Sequence, residues 1–230
     1  MDSVILAGGF GTRLRAVVAD VPKPMAPVAG RPFLEILLTK LAAQGVTRAV
    51  LSLGHMADVV TRHFGKRFDG LDLVYEIESQ PLGTGGALRA ALKHCNEAVT
   101  LVVNGDTFLD LDVRALQQQW LAFGRPLIVG CEIDDASRYG RLVLEGRRVV
   151  GFAEKGAGGP GVINTGYYLL PTDIFRRFDK ADPFSFEADF LMPNIDRLGL
   201  EVFRSDGLFI DIGVPEDYHR AQTLFAGKAP

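Results

Sequence analysis

The sequence predicts an α/β fold: a mostly parallel, twisted sheet flanked by helices, with a small antiparallel addition in the second half. Two observations carry this. In the first half of the chain, short apolar runs alternate with stretches of helical period, the pattern of right-handed βαβ units. The glycine- and acid-bearing loops also fall directly after those runs. They therefore lie at strand carboxyl ends, where open α/β sheets take their ligands.

In chain order, residues 4–7 read as a buried strand that breaks at once into Gly8-Gly9-Phe10-Gly11-Thr12-Arg13-Leu14. Residues 33–44 carry Leu34, Leu37, Leu38 and Leu41 at helical spacing and stop before Gly45, a natural helix C-cap. Residues 47–53 read as a second strand, 57–64 as a helix stopped by Gly65, and 71–78 as a third strand. The run Ser79-Gln80-Pro81-Leu82-Gly83-Thr84-Gly85-Gly86 is a loop entering a helix that ends at Leu92. A fourth strand, 99–103, then stops at Asn104-Gly105-Asp106. In the second half, residues 112–123 predict a helix with Trp120 in the core, and 127–132, 142–144 and 147–153 predict strands. The glycine-rich stretch 156–161 predicts a mobile hairpin loop, followed by a strand over 162–170. Helices are expected at 172–178 and 186–198, short strands at 200–204 and 209–212, and a last helix opened by Pro215 at its first position. Neither a repeat nor a linker interrupts the pattern, so one domain over 1–230 is expected.

Bulk properties narrow the function. Of the 230 residues, 47% are apolar and 23% charged, as in a globular protein. A net charge of −3 argues against a general nucleic-acid binder, which would show a basic face. The apolar run at the start reaches glycine by position 8, so it is neither a signal peptide nor a membrane span, and a cytoplasmic protein is expected. Cys95 and Cys131 stand apart in apolar surroundings and read as free thiols. His55, His63, His94 and His219 show no zinc-ligand spacing with them.

The glycine loop points to phosphate. Glycines after a strand let backbone N–H groups approach an anion closely, and Arg13 and Lys23 put positive charge beside them. The loop is not a P-loop, because no Gly-Lys-Ser/Thr occurs in the chain. It is not a dinucleotide fingerprint either, because Leu14 stands where the third glycine belongs. Asp106 and Asp211 each end an apolar strand, and a pair of carboxylates with phosphate oxygens suffices for Mg²⁺. Taken singly, each reads better as a turn or cap residue. Asp110 and Asp112 read as a turn and a helix cap. Glu76, Glu78 and Gln80 share strand parity. A carboxylate at Glu78 or Glu76 would accept well from paired N–H donors on a base edge, and solvent-exposed alternation explains these residues equally well.

The run from Leu6 to Leu14, with Lys23-Pro24-Met25-Ala26-Pro27-Val28, resembles the signature of the sugar-1-phosphate nucleotidylyltransferases. The similarity continues to about residue 218. Ala16 to Val18 replace the Pro and Thr usual in thymidylyl- and uridylyltransferases, which moves the likeness toward the guanylyltransferases of heptose 1-phosphates. The resemblance implies the Rossmann-like nucleotide-diphospho-sugar transferase fold, GTP and a heptose 1-phosphate as substrates, and Mg²⁺ as cofactor. It also implies a product that feeds a bacterial surface polysaccharide. Arg13 and Lys23 would be catalytic. Leu6, Ala7, Gly8, Gly9, Gly11, Thr12, Glu78, Gln80, Gly83, Thr84, Gly85 and Asp106 would bind the nucleotide, and Asp106 and Asp211 the metal. Tyr139, Gly140, Glu154, Lys155, Asn164, Thr165 and Glu187 would bind the sugar phosphate. No hexapeptide repeat follows, so the left-handed β-helix domain fused to some family members is not expected. Three alternatives remain at this point: a uridylyl- or thymidylyltransferase acting on a hexose or N-acetylmuramate 1-phosphate, a silent sugar-nucleotide sensor, and a nucleotide-dependent oxidoreductase. A homo-oligomer is compatible with all of them.

Overall fold

The computed structural model describes residues 1–9, 14, 18, 20–153, 156 and 158–227. Strand β1 (Asp2–Leu6) is followed by a 3-10 turn, Lys23–Met25, and a small hairpin, β2 (Pro27–Val28) and β3 (Arg31–Pro32). Then come α1 (Phe33–Ala43), β4 (Arg48–Leu53), α2 (Ala57–Phe64), β5 (Arg67–Phe68), β6 (Leu71–Ile77), α3 (Gly83–Leu92) and β7 (Val99–Asn104). The second half holds β8 (Thr107–Leu109), α4 (Val113–Phe123), β9 (Leu127–Ile133), β10 (Arg141–Glu145), β11 (Arg148–Ala153) and β12 (Gly161–Pro171). It ends with a π-helical turn, Phe186–Leu191, that runs into α5 (Met192–Leu198), then β13 (Glu201–Ser205), β14 (Phe209–Asp211) and α6 (Pro215–Phe225). Asp112 caps α4 by accepting from the Ala115 amide at 3.0 Å.

Ten strands form one mixed sheet in the order β10-β11-β13-β9-β12-β7-β1-β4-β6-β5. The block β7-β1-β4-β6 is parallel throughout. The long strand β12 joins it antiparallel to β7 and continues antiparallel to β9, so the antiparallel addition extends the same sheet. Successive residues of the parallel strands enter opposite cores. Ile5, Leu51 and Val103 pack with α1, α2 and α4 on one face, while Val4, Val50 and Val102 pack with α3 and α5 on the other. This explains why these strands read as unbroken apolar runs.

The stretch read as a loop over 79–86 is already helical from Gly83, the short strands β2, β3, β5 and β8 are additions to the sequence reading, and two expected helices come out differently. No helix forms at 172–178. Three successive tight turns stand there instead, with amide bonds from Ile174 to Pro171, Arg176 to Asp173 and Phe178 to Phe175 at 3.1, 2.8 and 2.9 Å. A segment this short gains little from helix propagation, and the turns let Phe175 and Phe178 pack onto Phe184 and Phe190. The helix expected at 186–198 is split. Its first part is π-helical, with the Met192 amide reaching back to Glu187. Pro193 has no N–H to give and its ring crowds the carbonyl four residues earlier, so the wider turn relieves that position.

Candidate active site

The strand ends of the parallel block converge on one cleft of about 310 Å³. Leu6, Ala7, Gly8 and Gly9 come from the end of β1 and just after it, Ser52 from β4, Asn104 from the end of β7, and Gly105 and Asp106 from the turn that follows. Glu78, Pro81, Gly83, Thr84 and Ala87 come from the loop after β6 and the start of α3, and Lys23 and Pro24 from the 3-10 turn. The backbone fixes the entrance to the glycine loop, because the Ala7 amide donates to the Ser52 carbonyl at 2.9 Å and the Gly105 amide to Leu6 at 2.8 Å. A side chain at Gly8 would crowd the cleft wall, since a Cβ would stand 2.5 Å from Glu78 Oε1 and 3.3 Å from the Gly54 nitrogen. The Ser52 hydroxyl is wholly buried and has no hydrogen-bond partner among the described residues.

Lys23 is set by its neighbours. Pro22 and Pro24 preset the backbone, Pro24 and Met25 are buried, and the Met25 amide closes onto Pro22 at 2.7 Å. The ammonium so placed forms an ion pair with Asp106 Oδ2. Asp211 reaches the same point from the far end of the chain. Strands β8 and β14 pair antiparallel with Asp211 opposite Thr107, and the Ile212 amide donates to the Asp106 carbonyl at 3.0 Å. The Gly213 amide donates to Asp211 Oδ1 at 2.6 Å. Burial pushes the Asp211 carboxyl above the usual carboxylate range and the nearby charge of Asp106 adds to this, while the Lys23 ammonium and the Gly213 amide pull it down.

This donor set fits a divalent cation. One ammonium faces two carboxylates, and a further positive charge would offset the burial and repulsion felt by Asp211. No cluster of three or more His, Cys, Asp or Glu able to hold a metal occurs among the described residues. Asp106 and Asp211 would offer such an ion hard carboxylate oxygens.

Of the candidate base-reading residues, Glu78 lines the cleft and its Oε2 accepts from the Leu82 amide at 3.0 Å. Glu76 does not line it, because its carboxylate is bound by His94 at 2.7 Å. β6 ends at Ile77, so the strand parity that grouped Glu76, Glu78 and Gln80 does not extend to the latter two. Gln80 is exposed and stands outside the cleft lining, while Gly83 and Thr84 are part of it. Gly85 is buried in the contact between α3 and Phe184, its amide bonded to the Phe184 carbonyl at 2.9 Å, so it has no free donor for a base.

A second group gathers around the middle of β12. Asn164 Nδ2 donates to Glu187 Oε1 at 2.6 Å and to the Tyr168 hydroxyl at 2.8 Å, and that hydroxyl donates to the same Glu187 oxygen at 2.8 Å. The Asn164 amide donates to the Gly140 carbonyl at 2.9 Å. Tyr139 packs edge-on against Phe209 of β14, and its hydroxyl lies 3.4 Å from buried Asp217. Burial pushes the Tyr139 hydroxyl up, and the Tyr168 hydroxyl much further. Thr165 is not part of this group. It follows Asn164 in an extended strand, so its side chain turns to the other face, and its hydroxyl donates to the Val129 carbonyl at 2.8 Å in the interior. Gly11, Thr12, Arg13, Glu154 and Lys155 lie outside the described residues.

Ser52, Asn104 and Tyr168 are site residues that the sequence reading misses. Ser52 is a polar residue inside an apolar strand and Asn104 precedes a Gly-Asp turn, signals that could have been read. Nothing local marks Tyr168, whose hydroxyl meets a carboxylate from a distant segment.

The nucleotidyl transferase family model matches residues 2–227. The chain is 39% identical over 223 residues to D-glycero-alpha-D-manno-heptose 1-phosphate guanylyltransferase of Aneurinibacillus thermoaerophilus, covering 96% of this chain and 97% of that protein. The enzyme of the same description from Campylobacter jejuni is 42% identical over 221 residues, with 95% and 97% covered. The crystal structure of HddC from Yersinia pseudotuberculosis complexed with GMP-PN superposes with a TM-score of 0.87. It is 41% identical, covering 97% of this chain and 99% of that one.

Proposed function

From the premise that this chain belongs to the nucleotidyl transferase family, we propose that it transfers a guanylyl group from GTP to D-glycero-α-D-manno-heptose 1-phosphate, releasing pyrophosphate and forming GDP-heptose. The observation that carries the chemistry is the meeting of Lys23, Asp106 and Asp211 at the edge of the cleft, held there by the β8–β14 pairing. The choice of base and sugar is supported by the two guanylyltransferase relatives and by the GMP-PN complex of HddC.

A phosphate monoester is already anionic at neutral pH, so its oxygen can attack the α-phosphorus of GTP without a general base. The barrier lies in bringing two anions together and in stabilising the departing pyrophosphate, which makes charge placement and alignment the main contributions of the protein. Lys23 is assigned the α-phosphate, and the amides after β1 are assigned the triphosphate. Arg13 is assigned the β- and γ-phosphates and Lys155 the sugar phosphate. Asp106 and Asp211 would hold Mg²⁺, which would supply positive charge to offset the negative charge of the phosphates. Glu78 is assigned the guanine edge. Asn164 and Glu187 are assigned the sugar hydroxyls, with Tyr139 and Gly140 shaping that side. GTP and the heptose phosphate are cytoplasmic metabolites in this reading, and the product supplies a bacterial surface polysaccharide such as capsule or lipopolysaccharide.

The test is pyrophosphate release with Mg²⁺ across GTP, UTP, dTTP, ATP and CTP. Each is paired with D-glycero-α-D-manno-heptose 1-phosphate, mannose 1-phosphate and glucose 1-phosphate. Turnover concentrated on GTP with the heptose is expected. Preference for UTP or dTTP with a hexose phosphate would discard the substrate assignment, and no release with any pair would discard the activity.

A further inference from the structure

The first turns of α3 carry three glycines, Gly83, Gly85 and Gly86, and the segment that continues to Glu187 is seated directly on them. A Cβ on Gly83 would stand 2.4 Å from the Phe184 carbonyl oxygen, one on Gly85 2.1 Å from the Phe184 ring, and one on Gly86 2.2 Å from Asp182 Oδ1. The backbones are stitched together as well. The Phe184 amide donates to Leu82 at 3.1 Å, the Gly85 amide to Phe184 at 2.9 Å, and the Phe186 amide to Thr84 Oγ1 at 2.9 Å.

One side chain closes this seat from outside the cleft. Arg89, one turn beyond Gly85, donates to the Lys180 carbonyl and to Asp182 Oδ1, both at 2.8 Å. Its guanidinium lies 4.8 Å from the centre of the Phe184 ring. Arg89 lines no part of the cleft. The fastened segment leads within a few residues to Glu187, whose Oε1 is the meeting point of Asn164 and Tyr168. Arg89 thus ties the helix that walls the nucleotide cleft to the carboxylate on the sugar side.

The geometry points to Arg89 as a positioning residue for the sugar 1-phosphate: by fastening residues 180–184 to α3 it fixes Glu187 against β12. This rests on the reading of Glu187 as a sugar contact. The cleft wall itself is held by the α3 packing and by Glu78, so losing Arg89 should loosen the sugar side and leave the nucleotide side intact.

The experiment is steady-state kinetics of Arg89→Ala, Arg89→Lys, Asp182→Ala and the Arg89→Ala/Asp182→Ala double variant. GTP is used with the sugar 1-phosphate that the parent protein turns over best. Arg89→Ala should raise KM for the sugar phosphate about five-fold, the scale of a partly buried charged pair with an added hydrogen bond. KM for GTP and kcat should stay within about two-fold. Arg89→Lys should recover part of the effect, Asp182→Ala should show a smaller rise because the Lys180 and Phe184 contacts remain, and the double variant should match Arg89→Ala, in which the contact with Asp182 is already lost. Unchanged KM for the sugar phosphate, or equal rises for both substrates, would overturn the proposal. Hydrogen exchange separates this outcome from a failed substrate assignment. If the parent protein turns over no pair, faster exchange over 182–190 but not over 83–92 in Arg89→Ala still supports the clamp, and unchanged exchange removes it.

Discussion

β1, β4, β6 and β7 deliver their site residues where a strand stops, whereas β12 delivers Asn164 from within a strand, at the irregularity between Asn164 and Tyr168. The first arrangement offers backbone amides and few side chains, with Lys23 and Asp106 the charged pair beside them. The second offers side chains that hold one another, Asn164, Tyr168 and Glu187, before any ligand enters. A backbone cradle suits a group every nucleoside triphosphate shares, and a side-chain network suits the hydroxyl pattern in which sugars differ. The common chemistry should therefore sit on the parallel half and the selectivity on the antiparallel one, with Glu78, proposed above to meet the guanine edge, as the exception.

The strongest way to break this division is to remove the charges of the parallel half. Lys23→Ala and Asp106→Asn should each lower kcat by about a hundred-fold or more, the cost of one placed charge at a phosphoryl-transfer centre. Asp106→Asn should melt close to the parent temperature, because the amide removes the repulsion on Asp211 and leaves Lys23 beside it, whereas Lys23→Ala should melt lower, because Asp211 and Asp106 lose the cation between them. Pyrophosphate release and a thermal melt check the two halves of the statement. Near-parental turnover in either variant would take that residue out of the mechanism.

Glu78→Gln sharpens the exception. The amide oxygen of the replacement side chain can still accept from the Leu82 amide, so the loop should hold its shape while the carboxylate facing the cleft is lost. If Glu78 accepts from guanine, the preference for GTP over UTP should fall about ten-fold, the worth of a hydrogen bond to a charged group. Competition between the two nucleotides in one reaction measures this directly. An unchanged ratio would place the base selection elsewhere.

The same division decides what could be read from the sequence. In the parallel half each element is announced locally. The helix expected at 57–64 is α2, and the loops that carry Gly8 and Asp106 lie at strand ends as expected. In the antiparallel half the pairings are remote. β8 is only three residues long and exists because β14 comes back to it, and β13 enters the sheet beside β9 through register that no local period encodes. The break in the helix at 186–198 is marked by Pro193, but its consequence, a π-helical turn that carries Glu187, depends on the packing of Phe186 and Phe190 beneath it. Family likeness names Asn164 and Thr165 together because they adjoin in the motif. Only the alternation of an extended strand separates them.

Thr165→Val tests that separation, and its expected effect is the smallest. Valine keeps the shape of threonine and cannot donate, so the Val129 carbonyl loses the hydroxyl now 2.8 Å from it while the face that carries Asn164 is untouched. The loss of one buried hydrogen bond costs about 1 kcal/mol, which lowers the melting temperature of a chain this size by about 2–4 °C. KM for the sugar phosphate and kcat should not move, since nothing in the Asn164–Tyr168–Glu187 network touches the Thr165 hydroxyl. A kinetic effect without a change in melting would mean that the two neighbours act on the same side after all. The strand would then have to turn at Thr165 when the sugar binds.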